Sequence, residues 1–257
     1  MFPAMTDPAQ SNHDTTHFGF QEVPETEKAR LVRRVFDHVA PRYDLMNDLM
    51  SGGVHRLWKA SLIRDVAPRA GETFLDVAGG TGDVAFGLHE AAPDTRIFVC
   101  DINPDMLAVG RDRALDRGIL TGPVFVAGDA ERLPFPSRSV DAYTIAFGLR
   151  NVTRIDAALA EARRVLKPGG RFFCMEFSRV VLPVLDRLYD LYSFTVLPAL
   201  GQAVTGDRAA YQYLVESIRR FPAQEELAAR MARAGLERPR FRNLSGGIAA
   251  IHSAWRL

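Results

Sequence analysis

The run Asp76-Val77-Ala78-Gly79-Gly80-Thr81-Gly82-Asp83 follows a short apolar stretch, Thr73 to Ala78, and opens a helical pattern from Asp83 to about Glu90. Glycines in such a strand–turn–helix let the backbone turn tightly and let a ligand approach it closely. About twenty residues further on, Asp101 closes a second apolar stretch, at the point where Rossmann-like sites carry a carboxylate that accepts hydrogen bonds from ribose hydroxyls. Together these features predict a nucleoside-containing cofactor over the carboxyl edge of a sheet. A dinucleotide fingerprint requires G-x-G-x-x-G, and Gly79, Gly80 and Gly82 do not follow that spacing. Asp83 also puts a carboxylate where a pyrophosphate needs positive potential, so a sulfonium with an amino-acid tail suits the turn better. The bland alternative is a tight turn with no ligand; the strand, turn, helix and spaced Asp101 together weigh against it. Gly128-Asp129-Ala130-Glu131 follows a third apolar stretch. A carboxylate there either hydrogen-bonds an adenine amino group or is a solvated loop residue, and spacing leaves the two even.

The elements that must position these residues alternate along the chain. Strands are expected at Thr73 to Ala78, Arg96 to Asp101, Val124 to Ala127, Val140 to Ala146 and Arg171 to Phe177. Helices fall between them: Asp83 to Glu90, then Pro104 to Arg117 behind the cap Asn103, then Ile155 to Leu166 stopped by Lys167-Pro168-Gly169-Gly170. Such alternation predicts a doubly wound α/β fold, a parallel sheet with helices on both faces. Upstream, a helical pattern runs from Glu25 to about Met50, interrupted at Pro41, and a second covers Val54 to Val66. Downstream, Val184 to Val196 is amphipathic, helices follow around Ala210 to Arg220 and Pro222 to Ala234, and two strands close around Ser245-Gly246-Gly247. The expected organisation is a disordered tail over 1–14 and a single domain over 15–257. That domain carries N-terminal helices and a helical insertion around 180–235.

Composition narrows the function. Across 257 residues, 32 Lys+Arg balance 31 Asp+Glu, for a net charge of +1. That balance gives no global pull toward nucleic acid, so no nucleic-acid partner is expected. Cys100 and Cys174 sit in apolar stretches and read as buried small hydrophobes. No His/Cys/Asp set has metal-ligand spacing, so no metal is expected. The first residues lack the pattern of a signal peptide, and no stretch approaches the roughly 18 to 20 apolar residues of a membrane span. The expected location is cytoplasmic, at most peripheral to the inner face of a membrane.

Several runs in order resemble the UbiE family of ubiquinone/menaquinone-biosynthesis C-methyltransferases, from Thr16 to Leu257. They are Thr16-His17-Phe18-Gly19-Phe20, Tyr43-Asp44-Leu45-Met46-Asn47-Asp48, His55-Arg56-Leu57-Trp58-Lys59, the glycine turn, Asp101-Ile102-Asn103, and Phe147-Gly148-Leu149-Arg150-Asn151-Val152. The resemblance implies a class I S-adenosylmethionine-dependent methyltransferase fold, a mostly parallel seven-stranded sheet with a C-terminal antiparallel hairpin. It implies S-adenosyl-L-methionine as cofactor, with contacts at Thr81, Asp101, Asp129 and Ala130; Gly80 and Gly82 join them from the turn. Members often carry Asn-Ala where this chain has Asp129-Ala130, and a Ser contact where it has Ala146. The implied reaction is C-methylation of a 2-methoxy-6-polyprenyl-1,4-benzoquinol, of demethylmenaquinol, or of both. The polyprenyl quinol is thus the expected partner. Peripheral membrane contact, a homodimer and a quinone-biosynthesis complex stay open.

Displacement at a sulfonium methyl needs a good nucleophile, and an aromatic carbon becomes one when a neighbouring phenol loses its proton. Arg150, just beyond the fourth strand, cannot serve as a base because guanidinium stays protonated. It can stabilise a phenolate and polarise a water. Asn151 and Tyr43 can orient that water or the quinol oxygen. His17 is expected to order the N-terminal arm, and His55, Trp58 and His252 to pack. The competing readings are a nicotinamide-dependent oxidoreductase, a methyltransferase for another small aromatic acceptor, and a non-catalytic scaffold in quinone biosynthesis.

Overall fold

A computed structural model describes residues 14–39, 48, 51–181 and 208–257. Its central sheet contains β3 (Thr73–Val77), β4 (Arg96–Asp101), β5 (Val124–Ala127), β6 (Val140–Ala146), β7 (Leu166–Phe177), β8 (Glu237–Leu244) and β9 (Ala249–Arg256). The order is β5-β4-β3-β6-β7-β9-β8. Strands β3 to β7 pair in parallel, and β9 inserts antiparallel between β7 and β8. Chain direction across the sheet reverses beside β3, which opens a crevice at the carboxyl ends of β3 and its neighbours, the usual ligand position in open α/β sheets.

Period-two alternation decides which side chains go to which face. Phe74, Phe173 and Met175 enter one core with Trp58, Leu62, Val66, Leu88, Leu107 and Leu214. Leu75, Phe172 and Cys174 enter the other with Leu159, Val165, Leu227 and Met231. The first core lies under α2 (His55–Val66), α3 (Asp83–Ala91), α4 (Pro104–Asp116) and α6 (Arg208–Arg220). The second lies under α5 (Ile155–Val165) and α7 (Gln224–Arg233). Helix α4 starts as expected: Asn103 Oδ1 accepts the Asp105 N–H at 2.9 Å, with Pro104 in the first turn. Such a cap contributes about 1 kcal/mol. Both cysteines are buried and free.

Two elements depart from expectation. Ahead of α1 (Glu25–Val39) stands a hairpin of β1 (Thr15–Phe18) and β2 (Gln21–Pro24), turning over Gly19 at φ +61°. Each strand has four residues and little apolar content, so periodicity gave no signal. Strand β7 also begins at Leu166 rather than Arg171. Pro168 cannot donate to a ladder, and the pairing with β6 shifts register there before resuming at Ala142–Arg171. The amphipathic run Val184 to Val196 lies outside the described residues, as does the chain from 40 to 47.

Candidate active site

The carboxyl edge of the sheet forms a cleft lined by Ala78 and Gly80 after β3, Asp101, Ile102 and Asn103 at β4, Asp129, Ala130 and Glu131 after β5, and Phe147, Gly148 and Asn151 after β6. Four of the expected cofactor residues therefore meet: Gly80, Asp101, Asp129 and Ala130. Asp101 is held by the turn it faces. Gly80 N–H donates to its Oδ2 at 2.9 Å and Asn103 N–H to its Oδ1 at 2.8 Å. Burial pushes the Asp101 carboxyl up, and the N–H groups of Asn103, Gly80 and Ile102 pull it back. Ala78 and Phe147, which follow the neighbouring strands β3 and β6, both adopt positive φ, +49° and +56°. Backbone strain of this kind gathers at binding sites.

Thr81 and Gly82 do not line this cleft. The Thr81 hydroxyl accepts from Arg113 at 2.6 Å and its side chain is buried. Gly82, at φ +86°, supplies the left-handed turn into α3 and packs on Phe86 and Phe125. Asp83 needs a correction as well. Its carboxylate is paired with Lys59 at 2.8 Å and Arg113 at 3.1 Å, so it is neutralised locally and held below the usual carboxylate range despite its burial. It therefore does not repel a pyrophosphate. That role passes to the cleft wall, where Asp101 and Asp129 carry carboxylates; Glu131 beside them is paired with Arg154 at 2.7 Å. A smaller hollow beside the turn is bounded by Thr81, Lys59, Asp76 and Ala146. There Asp76 Oδ1 accepts the Thr144 hydroxyl at 2.6 Å, while Oδ2 has no partner among the described residues. Burial pushes the Asp76 carboxyl up to about 7, against the pull of the Thr144 bond.

After β6 a 3-10 turn, Leu149–Asn151, carries the two candidate catalytic residues that the structure describes. Arg150 is neither a surface nor a helix-capping arginine. It donates to Glu176 Oε2 at 2.8 Å and to the Phe147 carbonyl, and both partners of the ion pair are 1% exposed. Glu176 also accepts the backbone N–H groups of Arg150 and Phe177, at 3.1 and 3.2 Å. Burial pushes the Glu176 carboxyl up, and Arg150 opposes that shift. Asn151 faces the cofactor cleft, whereas Arg150 lines a second cavity with Lys28, Tyr213, Arg179 and Arg220. Val152 and Thr153 belong to both walls, so one four-residue segment, 150–153, separates the two spaces. Tyr43 lies outside the described residues.

Four residues that sequence reasoning missed support this region. Glu176 was signalled by its type, a carboxylate inside the apolar run of β7. Lys28 is buried and donates to the Val152 carbonyl at 2.9 Å; burial pushes its ammonium down to about 8 against the pull of Glu131 and Glu25. On the same helix Arg33 donates to the Ile102 carbonyl at 3.1 Å. Helix α1 is thus tethered to the loops after β4 and β6, and Ala29 and Val32 close the cleft between them. Tyr213, from α6, bonds to Asn151 at 3.0 Å and had no sequence signal. His17 stands on the second cavity's wall, and His55 and Trp58 are packed in α2, Trp58 donating to Ser245 at 2.9 Å.

A sheet of this order, with an antiparallel strand inserted next to its last edge and a cleft at the carboxyl end of β3, defines an S-adenosylmethionine-dependent methyltransferase. A solved S-adenosylmethionine-dependent methyltransferase of Thermotoga maritima superposes with a TM-score of 0.63 over 87% of this chain and 99% of its own, at 20% identity, which speaks for the fold. Residues 22–256 match the ubiE/COQ5 methyltransferase family, and the chain belongs to that family. It is 59% identical to the ubiquinone/menaquinone biosynthesis C-methyltransferase UbiE of Nitrobacter hamburgensis, over 95% of this chain and 98% of that protein. It is 55% identical to the mitochondrial 2-methoxy-6-polyprenyl-1,4-benzoquinol methylase of Arabidopsis thaliana, over 97% and 93%. The donor set fits the cofactor. Each Asp101 oxygen accepts one backbone N–H, and a carboxylate has room for about four such bonds. With the Ile102 N–H as a third partner, about one acceptor position is left for a ribose hydroxyl, and the Asp101 and Asp129 carboxylates suit a cation.

Proposed function

We propose that this protein C-methylates the ring of a polyprenyl quinol, a 2-methoxy-6-polyprenyl-1,4-benzoquinol, a demethylmenaquinol, or both. In this reading Gly80, Asp101, Asp129 and Ala130 hold the nucleoside, and Arg150 and Asn151 act on the acceptor. The observation that carries it is the buried, cationic Arg150 on the short segment shared by the cofactor cleft and a second cavity. The names of the Nitrobacter and Arabidopsis relatives support the acceptor class.

When bound, S-adenosylmethionine supplies an electrophilic methyl group. Ionising a phenol of pKa near 10 at pH 7 costs roughly 4 kcal/mol. Arg150, whose charge Glu176 largely offsets at 2.8 Å, lowers that cost through guanidinium N–H groups that the pair leaves unused, Nε–H among them. It does not take the proton, since guanidinium stays protonated, so the proton leaves to water. Asn151 hydrogen-bonds the acceptor oxygen from the cleft side. Asp101 and the glycine turn orient the donor, and α1, pinned by Lys28 and Arg33, keeps water from the cleft.

We propose further that contact with the bilayer is peripheral. No helix among the described residues is long and apolar enough to cross a membrane, while a polyprenyl tail partitions into lipid. Flotation with quinol-loaded liposomes that leaves all protein in the soluble fraction overturns this part. The reaction is tested by offering short-chain benzoquinol and naphthoquinol acceptors with labelled S-adenosylmethionine and reading product mass. A ring-methylated product is expected. Cofactor binding without transfer to either acceptor overturns the reading and favours another aromatic substrate or a scaffold.

A further inference from the structure

The N-terminal run Thr16 to Phe20 plays no part in the chemistry above, yet it reaches the catalytic segment twice: the Thr16 hydroxyl donates to the Thr153 carbonyl at 3.5 Å, and Phe18 acts through Tyr213. Phe18 stacks on Tyr213 with ring centroids 4.3 Å apart and planes 20° from parallel. Tyr213 is 4% exposed, and its hydroxyl donates to Asn151 Oδ1 at 3.0 Å. Burial pushes this phenol further up from its ordinary range, so it stays a proton donor wherever the enzyme works. Hairpin and helix are joined a second time where Phe20 N–H donates to Glu216 at 2.9 Å. The phenol ring is thus held from both sides of its attachment.

A primary amide has an acceptor oxygen on one side and a donor NH2 on the other. Unrestrained, it can rotate and present either to a ligand. We infer that Tyr213 is a positioning residue: by engaging Asn151 Oδ1, it turns the Asn151 Nδ2 donor toward the acceptor oxygen in the cleft, with Phe18 holding the phenol in place. This rests on the reading that Asn151 contacts the acceptor. A fixed N–H donor stabilises a phenolate more than a neutral phenol, because hydrogen bonds to ionised groups are the stronger. A rotated amide would instead aim its carbonyl oxygen at the developing anion. The hairpin, remote in sequence from the chemistry, thereby sets the polarity of one wall of the site.

Tyr213→Phe keeps the stacked ring and removes only the hydroxyl. We expect turnover at neutral pH to fall about tenfold, the weight of one hydrogen bond, with the KM for S-adenosylmethionine unchanged. The loss should shrink above pH 9, because phenolate then forms without help, so the acid limb of log kcat against pH moves upward. Asn151→Ala should lose turnover too, and the Tyr213→Phe/Asn151→Ala pair should match Asn151→Ala alone. Phe18→Leu, which loosens the ring without touching the hydroxyl, should repeat the pH-dependent pattern at smaller amplitude. Wild-type turnover in Tyr213→Phe beside an impaired Asn151→Ala overturns the inference, and so does a loss that is flat with pH or additive with Asn151→Ala. Wild-type turnover in Asn151→Ala overturns the underlying reading of Asn151 instead.

Discussion

Replacing Arg150 by Met should damage the protein twice, and the two injuries should answer to pH in opposite directions. Methionine roughly keeps the buried volume but removes the charge. Glu176, 1% exposed, then keeps only the backbone N–H groups of residues 150 and 177. Breaking a buried pair from one side costs about 3–5 kcal/mol. In a chain of this size that lowers Tm by roughly 6–20 °C. Burial already pushes the Glu176 carboxyl up, and losing Arg150 raises it further. A carboxyl whose folded pKa exceeds its unfolded value contributes stability at low pH and loses it as pH rises. The Tm deficit should therefore be largest at pH 8 and recover on acidification. Turnover should behave oppositely: down roughly 10²- to 10³-fold at neutral pH and partly restored as pH rises and the acceptor ionises by itself. Arg150→Met/Glu176→Gln removes the stranded charge, and exchanging a buried pair for neutral groups is often close to neutral in stability. Its melting curve should return near wild type while turnover stays low. Melting scans at pH 5 and pH 8 beside a methyl-transfer assay decide the matter. A single variant that melts like wild type at pH 8 refutes the structural half, and a double variant that regains turnover with its Tm refutes the chemical half.

Asp101→Ala should weaken S-adenosylmethionine binding about 10- to 100-fold, from lost charge-assisted hydrogen bonds, without unfolding the protein; unchanged affinity by calorimetric titration counts against the ribose assignment. Asp76→Asn isolates the other strongly shifted carboxyl. Its folded pKa of about 7 exceeds the ordinary value of about 4, so the wild type loses stability across pH 4 to 7 where the Asn variant does not. The gap between their cofactor-free unfolding free energies should move in favour of Asn by up to roughly 4 kcal/mol over that window, and parallel curves refute the shift.

What could be read from the sequence was whatever local pattern encodes. The strands at Thr73, Arg96, Val124 and Val140 carried apolar runs, the Asn103 cap had its proline, and the glycine turn with Asp101 pointed to the cleft that forms. What escaped depends on partners distant in the chain. Asp83 appeared as free charge because Lys59 and Arg113 reach it from two other helices. Arg150 appeared as a catalytic cation without a counter-ion because Glu176 sits on the next strand, 26 residues on. The hairpin was invisible because neither four-residue strand has an apolar face of its own, and Tyr213 because one phenol on an amphipathic helix is unremarkable until Asn151 lies beside it.

The hairpin also sets an order of assembly. Its residues leave the ribosome before their partners: Phe20 waits for Glu216, 196 positions later, and Lys28 waits for Val152, 124 positions later. Closing loops of that length carries a large entropy cost before any contact rewards it. The nucleoside half of the cleft draws on the segment from Ala78 to Asn151, so its parts are synthesised well before the acceptor wall can be fastened. The residues that complete the acceptor side, Glu216 and Tyr213 among them, are thus made well after the parts of the nucleoside side, and the hairpin's bonds to them can form only then.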